Sequence, residues 1–256
     1  MTLLVGAIHS SGLPGSIFQA LSQVDTARGI ILAADSRWTF PDGRTEGGAV
    51  KVFGIGPNGI AAYAGSAIAG EDAVIALAMK RPPARTLSEW TAGVKGIIID
   101  AWRDHQPNDD GLEIFVCFSF KSGVAGLVHF SSTDGFIPQY VNDIAIVGPE
   151  RARTYFQQAL RAAIAGNMER AKTTGVSVAI DSCAALIVAA VNDACELRVH
   201  RSVGGKILCA YTMLGRAQGV GVTRLSPSPH GIVVDEVGLE SEGQTIRKGF
   251  TYQPPH

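Results

Sequence analysis

Short apolar runs separated by turn residues dominate the first part of the chain. Runs of strand length span Leu3 to Ile8, Gly29 to Ala34, Val50 to Ile55 and Ile60 to Tyr63. Pro-Asp-Gly and Pro-Asn-Gly triplets separate the later runs, and such triplets are typical of turns. The pattern predicts several short strands before residue 65.

Longer segments follow in which apolar residues recur at helical intervals. They predict helices over Ser66 to Lys80, Thr86 to Arg103, Arg151 to Lys172 and Val176 to Glu196. The spacing of Thr86 and Glu89 is that of a capping box, which favours a helix start at this point. We expect the second helix to run antiparallel to the first.

Further strands are expected where β-branched and aromatic residues lie between turn signals. Three of them, Leu112 to Phe120, Gly123 to Phe130 and Ile144 to Val147, are expected to form a second sheet. Another is expected over His230 to Val237, in the C-terminal part of the chain. Strands and helices together predict a protein of the α+β class.

The composition favours one domain over residues 1–256. The chain has 256 residues, of which 46% are hydrophobic and 18% are charged, so it is long enough to bury a large core. Two small domains would also fit this length. No low-complexity linker or charge block divides the sequence, and a single domain is therefore preferred.

Charge and cysteine content argue against several classes of partner. A formal net charge of -1 and a pI near 6.6 give no electrostatic case for nucleic acid or an anionic membrane. No apolar stretch approaches the roughly 20 residues that span a bilayer, and no basic segment precedes the first apolar run. Four cysteines are scattered along the chain and form no metal-binding pattern: Cys117, Cys183, Cys195 and Cys209. We therefore expect buried thiols and no bound metal, and free thiols of this kind are typical of a cytoplasmic protein.

Charged residues in the first segment are concentrated at strand ends. Asp35 and Arg37 follow one predicted strand, and Lys51 lies at the start of the next. An acid, a guanidinium and an amine brought together could surround a nucleophile, since a nearby cation lowers and a nearby anion raises its proton affinity. A surface salt bridge explains the same residues equally well.

Thr2 provides a candidate nucleophile. Because threonine is small, Met1 is an initiator of the kind that is normally removed, and its removal would leave Thr2 with a free α-amino group beside its hydroxyl. An N-terminal threonine supplies nucleophile and base from one residue.

Four motifs carry a resemblance to a known family: T-x-x-V-G from Thr2, I-L-A-A-D-S-R ending at Arg37, K-V-F from Lys51 and A-Y-A-G-S ending at Ser66. Their order and spacing resemble the N-terminal half of proteasome β subunits and bacterial proteasome-like peptidases, which are N-terminal nucleophile hydrolases. The resemblance covers residues 27–78 clearly and extends loosely to about residue 213. It implies a four-layer αββα sandwich of two antiparallel sheets between helices.

The resemblance also implies residue roles. Thr2 would be the nucleophile and Lys51 the amine that lowers the proton affinity of its hydroxyl. Asp35 would hold Lys51 charged, and the backbone N–H of Gly65 would form the oxyanion hole, as a developing oxyanion requires a donor. Supporting roles fall on the residues that match the neighbouring family positions: Ser36, Arg37, Ser66 and Asp193.

A substrate pocket is implied as well. Ala49, Phe53 and Tyr63 match the family positions that line the pocket for the side chain before the scissile bond. Tyr63 would form its floor. A bulky aromatic there would shorten the pocket, which predicts a preference for small apolar side chains.

The chain departs from the family in its connections. The segment at about 9–28 is longer than the usual tight turn and is interpreted as an insertion in the first hairpin, and residues from about 216 to 256 form a C-terminal extension. Gly15-Ser16 within the insertion resembles a propeptide cleavage junction. Ser16 is therefore an alternative nucleophile, although the segment after it lacks the Val-Gly pair that follows Thr2.

Two further departures concern expected serine hydroxyls. Pro149 replaces the serine of a Gly-Ser-Gly junction, and Glu196 replaces the serine of an Arg-Asp-Ala-x-Ser segment that otherwise retains Asp193. Both changes would weaken or specialise proteasome-like activity.

The sequence thus predicts a threonine-type peptidase that hydrolyses peptide bonds in peptide or protein substrates through an acyl-enzyme on Thr2. The resemblance implies that it needs no metal or organic cofactor and assembles into a homo-oligomeric ring. It does not say whether an unfoldase partner exists. Two alternatives stay open: a non-catalytic structural homologue of the same fold, and an N-terminal nucleophile amidohydrolase that acts on small molecules.

Overall fold

The computed structural model describes most of the chain, with gaps at several turns and in the C-terminal part. The described residues are 2–9, 28–40, 42–55, 59–80, 86–105, 111–119, 125–174, 180–214, 220–228, 231–236, 240–241, 244–245 and 251–252. Ser16 and almost all of the predicted insertion lie outside this set. The part of the extension that is described consists of short strands.

Helices and strands alternate in blocks along the chain. The helices are α1 (Ala67–Lys80), α2 (Leu87–Asp104), α3 (Glu150–Thr174) and α4 (Ile180–Glu196). The strands are β1 (Leu4–His9), β2 (Arg28–Asp35), β3 (Trp38–Thr39), β4 (Thr45–Glu46), β5 (Val52–Gly54), β6 (Ile60–Gly65), β7 (Leu112–Ser119), β8 (Ala125–Ser131), β9 (Gln139–Val141), β10 (Ile144–Val147), β11 (Ile207–Leu214), β12 (Val220–Ser228), β13 (Gly231–Glu236), β14 (Glu240–Ser241), β15 (Gln244–Thr245) and β16 (Thr251–Tyr252).

Two sheets carry most of the strands. A seven-stranded sheet has the order β10-β1-β2-β11-β12-β13-β16, and a five-stranded sheet has the order β5-β6-β7-β8-β9. The ribbons β3–β4 and β14–β15 stand apart from both. Every strand pair described is antiparallel. The α+β class predicted from the sequence is therefore confirmed.

The side-chain alternation of the strands divides the apolar residues into three packed groups. Leu3, Val5 and Ala7 lie in a core shared with α3 and α4, whereas Leu4 lies in a core shared with the five-stranded sheet. This division follows from the two-residue period of a strand, which sends successive side chains to opposite faces. The third core joins the five-stranded sheet to α1 and α2.

Most predicted elements are present, with ends shifted by a few residues. The capping box of α2 is confirmed, since the amide of Glu89 donates to Thr86 Oγ1 at 3.2 Å and the amide of Thr86 donates to Glu89 Oε2 at 3.3 Å. No helix among the described residues is long and apolar enough to cross a membrane.

One strand assignment was wrong. Ile144–Val147 was expected to join the second sheet with its sequence neighbours, but it pairs with β1, with Leu4 opposite Val147. The edge of the five-stranded sheet is occupied by β9 instead. The chain crosses to the other sheet at Asp143, whose carbonyl accepts a hydrogen bond of 2.7 Å from the amide of Ile8.

The contact between α1 and the sheet below it gives a test of this packing. A Cβ atom at Gly70 would lie 2.2 Å from the ring of Tyr63, whereas a Cβ atom at Gly96 in α2 meets nothing within 4 Å. Alanine favours helix over glycine by roughly 1 kcal/mol, but overpacking of a core costs about 1 to 3 kcal/mol. We expect Gly70→Ala to lower the free energy of unfolding in urea and the control Gly96→Ala to raise it. Equal stabilisation by both variants would contradict the packing described here.

Candidate active site

The site is built around a buried carboxylate at the end of β2. Asp35 is completely buried, and one of its oxygens accepts a hydrogen bond of 2.9 Å from the amide of Leu3. The other oxygen accepts from the amide of Gly204 at 2.9 Å and from the amide of Arg37 at 3.2 Å. Three backbone donors from three separate segments therefore fix this side chain.

Lys51 joins the carboxylate to the first residues of the chain. Its side chain is almost fully buried just before β5, and Nζ lies 3.8 Å from Asp35 Oδ1. Nζ donates to the carbonyl of Arg37 at 2.5 Å and to Thr2 Oγ1. A single amine thus contacts the candidate nucleophile and its neighbouring carboxylate.

Burial shifts both charged groups of this pair toward their neutral forms. It raises the pKa of Asp35 above its ordinary value of 3.8, against the opposing influence of Lys51 and the three backbone donors. It lowers the pKa of Lys51 below 10.5, against the negative charge of Asp35. The Lys51 amine therefore gives up its proton more easily than an exposed lysine does.

Thr2 lies two residues before the start of β1 and is only 4% exposed. The pairing of its neighbour Leu3 with Asp35 is reciprocal, since the amide of Asp35 donates to the carbonyl of Leu3 at 3.2 Å. A Cβ atom at Gly148 would lie 2.7 Å from the carbonyl oxygen of Thr2. The Gly148-Pro149 junction, where the resemblance leads one to look for a serine, therefore packs against Thr2.

Arg37 contacts the loop at residues 201–204, which supplies the Gly204 amide that donates to Asp35. Its guanidinium donates to the carbonyls of Arg201 at 3.1 Å and Val203 at 3.0 Å. Gly204 follows with a φ of +152°, and a Cβ atom there would lie 2.4 Å from the guanidinium carbon. Only glycine can bring its amide to Asp35 while Arg37 lies against it.

Ser36 ties the same corner to the segment that leads into β5. Its hydroxyl accepts from the amide of Lys206 at 2.7 Å and from that of Gly48 at 3.4 Å. Its carbonyl accepts from the amide of Ala49 at 2.9 Å. Ser36 and Arg37 therefore both brace the residues around Asp35.

Gly65 is the last residue of β6, and Ser66 follows it. Two residues earlier, the amide of Tyr63 donates to the carbonyl of Lys51 at 3.1 Å. Gly65 has a φ of +94°, and a Cβ atom there would lie 1.7 Å from the carbonyl oxygen of Gly111. That carbonyl accepts from the amide of Ser66 at 2.9 Å. The end of β6 thus carries a sterically constrained glycine two residues after the one that pairs with Lys51.

The residues expected to line the substrate pocket occupy different environments. The rings of Phe53 and Tyr63 stack with centroids 6.1 Å apart, and Ala49 is buried. Tyr63 is only 1% exposed and belongs to the core below α1 and α2, where its hydroxyl donates to the carbonyl of Val50 at 3.2 Å. Its ring is therefore part of a packed layer in this structure.

The C-terminal end of α4 carries Asp193, the last of the expected site residues. Asp193 is exposed, and partial burial together with the negative charge of Glu196 raises its pKa. Cys195 is half-buried, and burial together with the negative charge of Asp35 raises the pKa of its thiol. At 3.6 residues per turn, positions 193 and 195 are roughly 200° apart, so they lie on opposite sides of α4.

Sequence reasoning missed two participants: Cys195 and Gly204. The Gly204-Gly205 pair after α4 was the available signal for a tight backbone approach. Nothing local to Cys195 indicated that the charges of Asp35 and Lys51 would act on its thiol. Within the described residues, no group of three or more His, Cys, Asp or Glu side chains is arranged to hold a metal ion.

The arrangement has the parts needed to activate a hydroxyl. Thr2 Oγ1 contacts an amine with a lowered pKa, that amine lies beside a carboxylate, and the carboxylate is immobilised by backbone donors. Water has little access to any of the three side chains. Such a site can lower the proton affinity of the hydroxyl in a medium of low polarity.

Replacement of Asp35 tests whether it organises this corner. In Asp35→Asn the side-chain nitrogen cannot accept a hydrogen bond, so at least one backbone donor and Lys51 lose their partner. We expect the free energy of unfolding in urea to fall by about 2 to 4 kcal/mol. The control Asp42→Asn breaks an exposed pair with Arg44 and should cost less than about 1 kcal/mol. Similar losses in both variants would show that Asp35 has no organising role.

Comparison with known proteins finds no family whose model matches this chain and no match among curated proteins. A functional assignment therefore has to rest on the residues of the site and on the sequence motifs that bring them together.

Proposed function

We propose that this protein is an N-terminal nucleophile hydrolase of the proteasome-like type, which cleaves peptide bonds through an acyl-enzyme on Thr2. The observation that carries the proposal is the contact between Lys51 Nζ and Thr2 Oγ1, with Asp35 behind the amine. A hydroxyl, an amine and a carboxylate in this order are what a threonine nucleophile requires.

The packing order supports the family assignment. One core lies between the α3–α4 pair and the seven-stranded sheet, one between the two sheets, and one between the five-stranded sheet and the α1–α2 pair. This order of helices, sheet, sheet and helices is the order implied by the motif resemblance. Fold alone does not determine activity, so the assignment depends on the residues around Thr2.

The first step is release of the α-amino group of Thr2 by cleavage of the Met1–Thr2 bond. The free amine then accepts the proton of Oγ1 as that oxygen attacks the substrate carbonyl carbon. Lys51 donates a hydrogen bond to Oγ1 and stabilises its developing negative charge. Asp35 keeps the Lys51 amine in position through their 3.8 Å ion pair.

Acylation and deacylation follow with proton transfers that balance. The backbone N–H of Gly65 stabilises the oxyanion, the scissile C–N bond breaks, and the leaving amine takes the proton held by the α-amine. Water then attacks the ester on Thr2, giving up its proton to the same α-amine. The ester bond breaks, the acid leaves, and Oγ1 regains its proton.

A second candidate is a non-catalytic homologue of the same fold. Pro149 provides no hydroxyl where the resemblance leads one to look for a serine, and Glu196 replaces a second expected serine. These observations favour weak or specialised activity if the protein is an enzyme. Reactivity of Thr2 distinguishes the two candidates.

Assembly into a homo-oligomeric ring forms part of the proposal. Ile68, Ile75 and Met79 are exposed along one side of α1, and large apolar side chains in such a stripe are typical of an interface. A ring would enclose Thr2 and restrict access to extended peptide or unfolded protein segments. An amidohydrolase for small molecules needs no such enclosure.

Labelling of Thr2 tests the proposal directly. We expect a β-lactone to add one probe mass to a wild-type chain that lacks Met1, measured by intact-mass spectrometry and peptide mapping. Thr2→Ser should retain labelling, whereas Thr2→Ala should lose at least about a thousandfold in rate because no hydroxyl remains. The control Thr45→Ala changes an exposed hydroxyl and should label normally. An intact Met1 with no labelled Thr2 would leave the non-catalytic homologue as the better interpretation.

The three cysteines whose side chains the structure describes should not compete for such a probe. Burial raises the pKa of Cys117, Cys195 and Cys209 to about 12 each, so about one thiol in ten thousand is ionised at pH 8. We expect iodoacetamide at pH 8 to leave these three residues unmodified in the folded protein and to alkylate them in urea. Rapid alkylation of Cys195 without urea would contradict the raised pKa of its thiol.

A further inference from the structure

A short turn after β8 is tied by one hydroxyl to the backbone beside Gly65. Oγ of Ser132 accepts a hydrogen bond of 2.8 Å from the amide of Leu112, the first residue of β7. Leu112 is the residue opposite Gly65 in the ladder between β6 and β7. The hydroxyl therefore holds the strand end that lies against the expected oxyanion donor.

The residue before Leu112 contacts Gly65 and Ser66 directly. The Gly111 carbonyl accepts a hydrogen bond of 2.9 Å from the amide of Ser66. The same oxygen occupies the space that a Cβ atom at Gly65 would need, since the two atoms would lie 1.7 Å apart. Gly65 also has a φ of +94°, which glycine adopts without a steric penalty. The position of the Gly111 carbonyl therefore constrains the backbone of Gly65.

The backbone N–H of Gly65 lies on the side of β6 that carries Lys51. The N–H of Tyr63, two residues earlier, donates to the carbonyl of Lys51 at 3.1 Å. Backbone amides along an antiparallel strand alternate between its two sides, so the N–H of Gly65 points the same way as that of Tyr63. The contacts of Gly111 with the end of β6 are made from β7, on the other side. They fix the strand end without using the N–H of Gly65.

The turn that carries the hydroxyl is held in a strained conformation. It consists of the 3₁₀ turn Ser132–Asp134 and the residues after it, among which Phe136 has a φ of +58°. A positive φ at a bulky residue is costly and persists only where the surrounding structure requires it. The Phe136 ring is buried and packs edge-on against Trp102, and its amide donates to the carbonyl of Ser131 at 2.7 Å. Packing thus fixes the turn that presents the hydroxyl.

A second set of bonds anchors the same turn to β7. Oγ of Ser131 donates to Glu113 Oε1 at 2.8 Å, and Glu113 Oε2 lies 2.6 Å from Nε2 of His129. Ser131 is only 4% exposed. These bonds join the turn to the second residue of β7 independently of Ser132. Loss of the Ser132 hydroxyl would therefore release the Leu112 amide while the turn itself stays anchored.

We propose that Ser132 is a positioning residue for the oxyanion hole. Its hydroxyl holds the Leu112 amide, and with it the Gly111 carbonyl, so that Gly65 presents its N–H to the substrate oxygen. The inference rests on the proposed function, in which that N–H stabilises the oxyanion. A donor of this kind acts in the transition state only when it is aimed at the developing charge, so its displacement lowers the rate and leaves binding intact. Ser132 takes no part in the bond changes themselves.

The experiment compares two Thr2-directed probes on the full chain after removal of Met1. One is a small β-lactone, whose attacked carbonyl becomes an oxyanion, and the other is a peptide vinyl sulfone, whose attacked carbon carries no oxygen. In Ser132→Ala we expect the limiting rate of β-lactone labelling to fall about tenfold, less than the roughly hundredfold cost of losing a whole oxyanion donor. The apparent binding constants of both probes and the limiting rate with the vinyl sulfone should stay within about twofold of the wild type.

Two further variants separate the role of the hydroxyl from a general effect on stability. Ser132→Thr retains a hydroxyl and should react with the β-lactone as the wild type does. Thr91→Val removes a buried hydroxyl that donates to the carbonyl of Leu87 at 2.8 Å in α2. It should leave both labelling rates unchanged, whatever its effect on the melting temperature.

The possible results have different consequences. An unchanged β-lactone rate in Ser132→Ala would overturn this inference and leave the proposed function standing. Equal losses with both probes, or the same loss in Ser132→Thr, would also overturn it, because they would indicate a general disturbance of the site. A wild-type chain that reacts with neither probe would refute the proposed function itself and the inference with it.

Discussion

The burial of one carboxylate constrains the arrangement of the whole site. Asp35 is completely buried, and a charged group in that position is tolerated only when its lone pairs are satisfied. The donors come from Leu3, Arg37 and Gly204, and Lys51 supplies the opposite charge. Residues far apart in sequence must therefore meet at one point, or the carboxylate is left unpaired.

This requirement determines where Thr2 lies. The amide of Leu3 donates to Asp35 while the carbonyl of Leu3 accepts from the amide of Asp35, which sets the register of the first strand against the second. Thr2 immediately precedes Leu3 in the chain. Lys51, which lies next to the five-stranded sheet, donates a hydrogen bond to the Thr2 hydroxyl. The position of the candidate nucleophile is thus a consequence of satisfying a buried charge.

Local sequence was sufficient to predict that charged residues cluster near Thr2, but it was insufficient to predict which distant segments complete the cluster. The concentration of Asp35, Arg37 and Lys51 at strand ends indicated a cluster, and in the structure β2 and β5 meet across the core between the two sheets. The part played by Gly204 depends on a loop 169 residues from Asp35, and no local pattern encodes that pairing. The strand Ile144–Val147 was predicted correctly as an element, yet its apolar side chains suit either sheet, so its partner was not predictable.

The contrast between paired and unpaired groups separates two kinds of residue around the candidate nucleophile. Asp35, Ser36 and Lys51 have several partners each, and a fully satisfied network holds its members in one arrangement. Trp38 and Thr39, immediately beyond them, have buried polar atoms that lack a hydrogen-bond partner within the described part of the chain, and they sit on a thin ribbon. A rigid corner suits a chemical step that requires exact placement of the nucleophile.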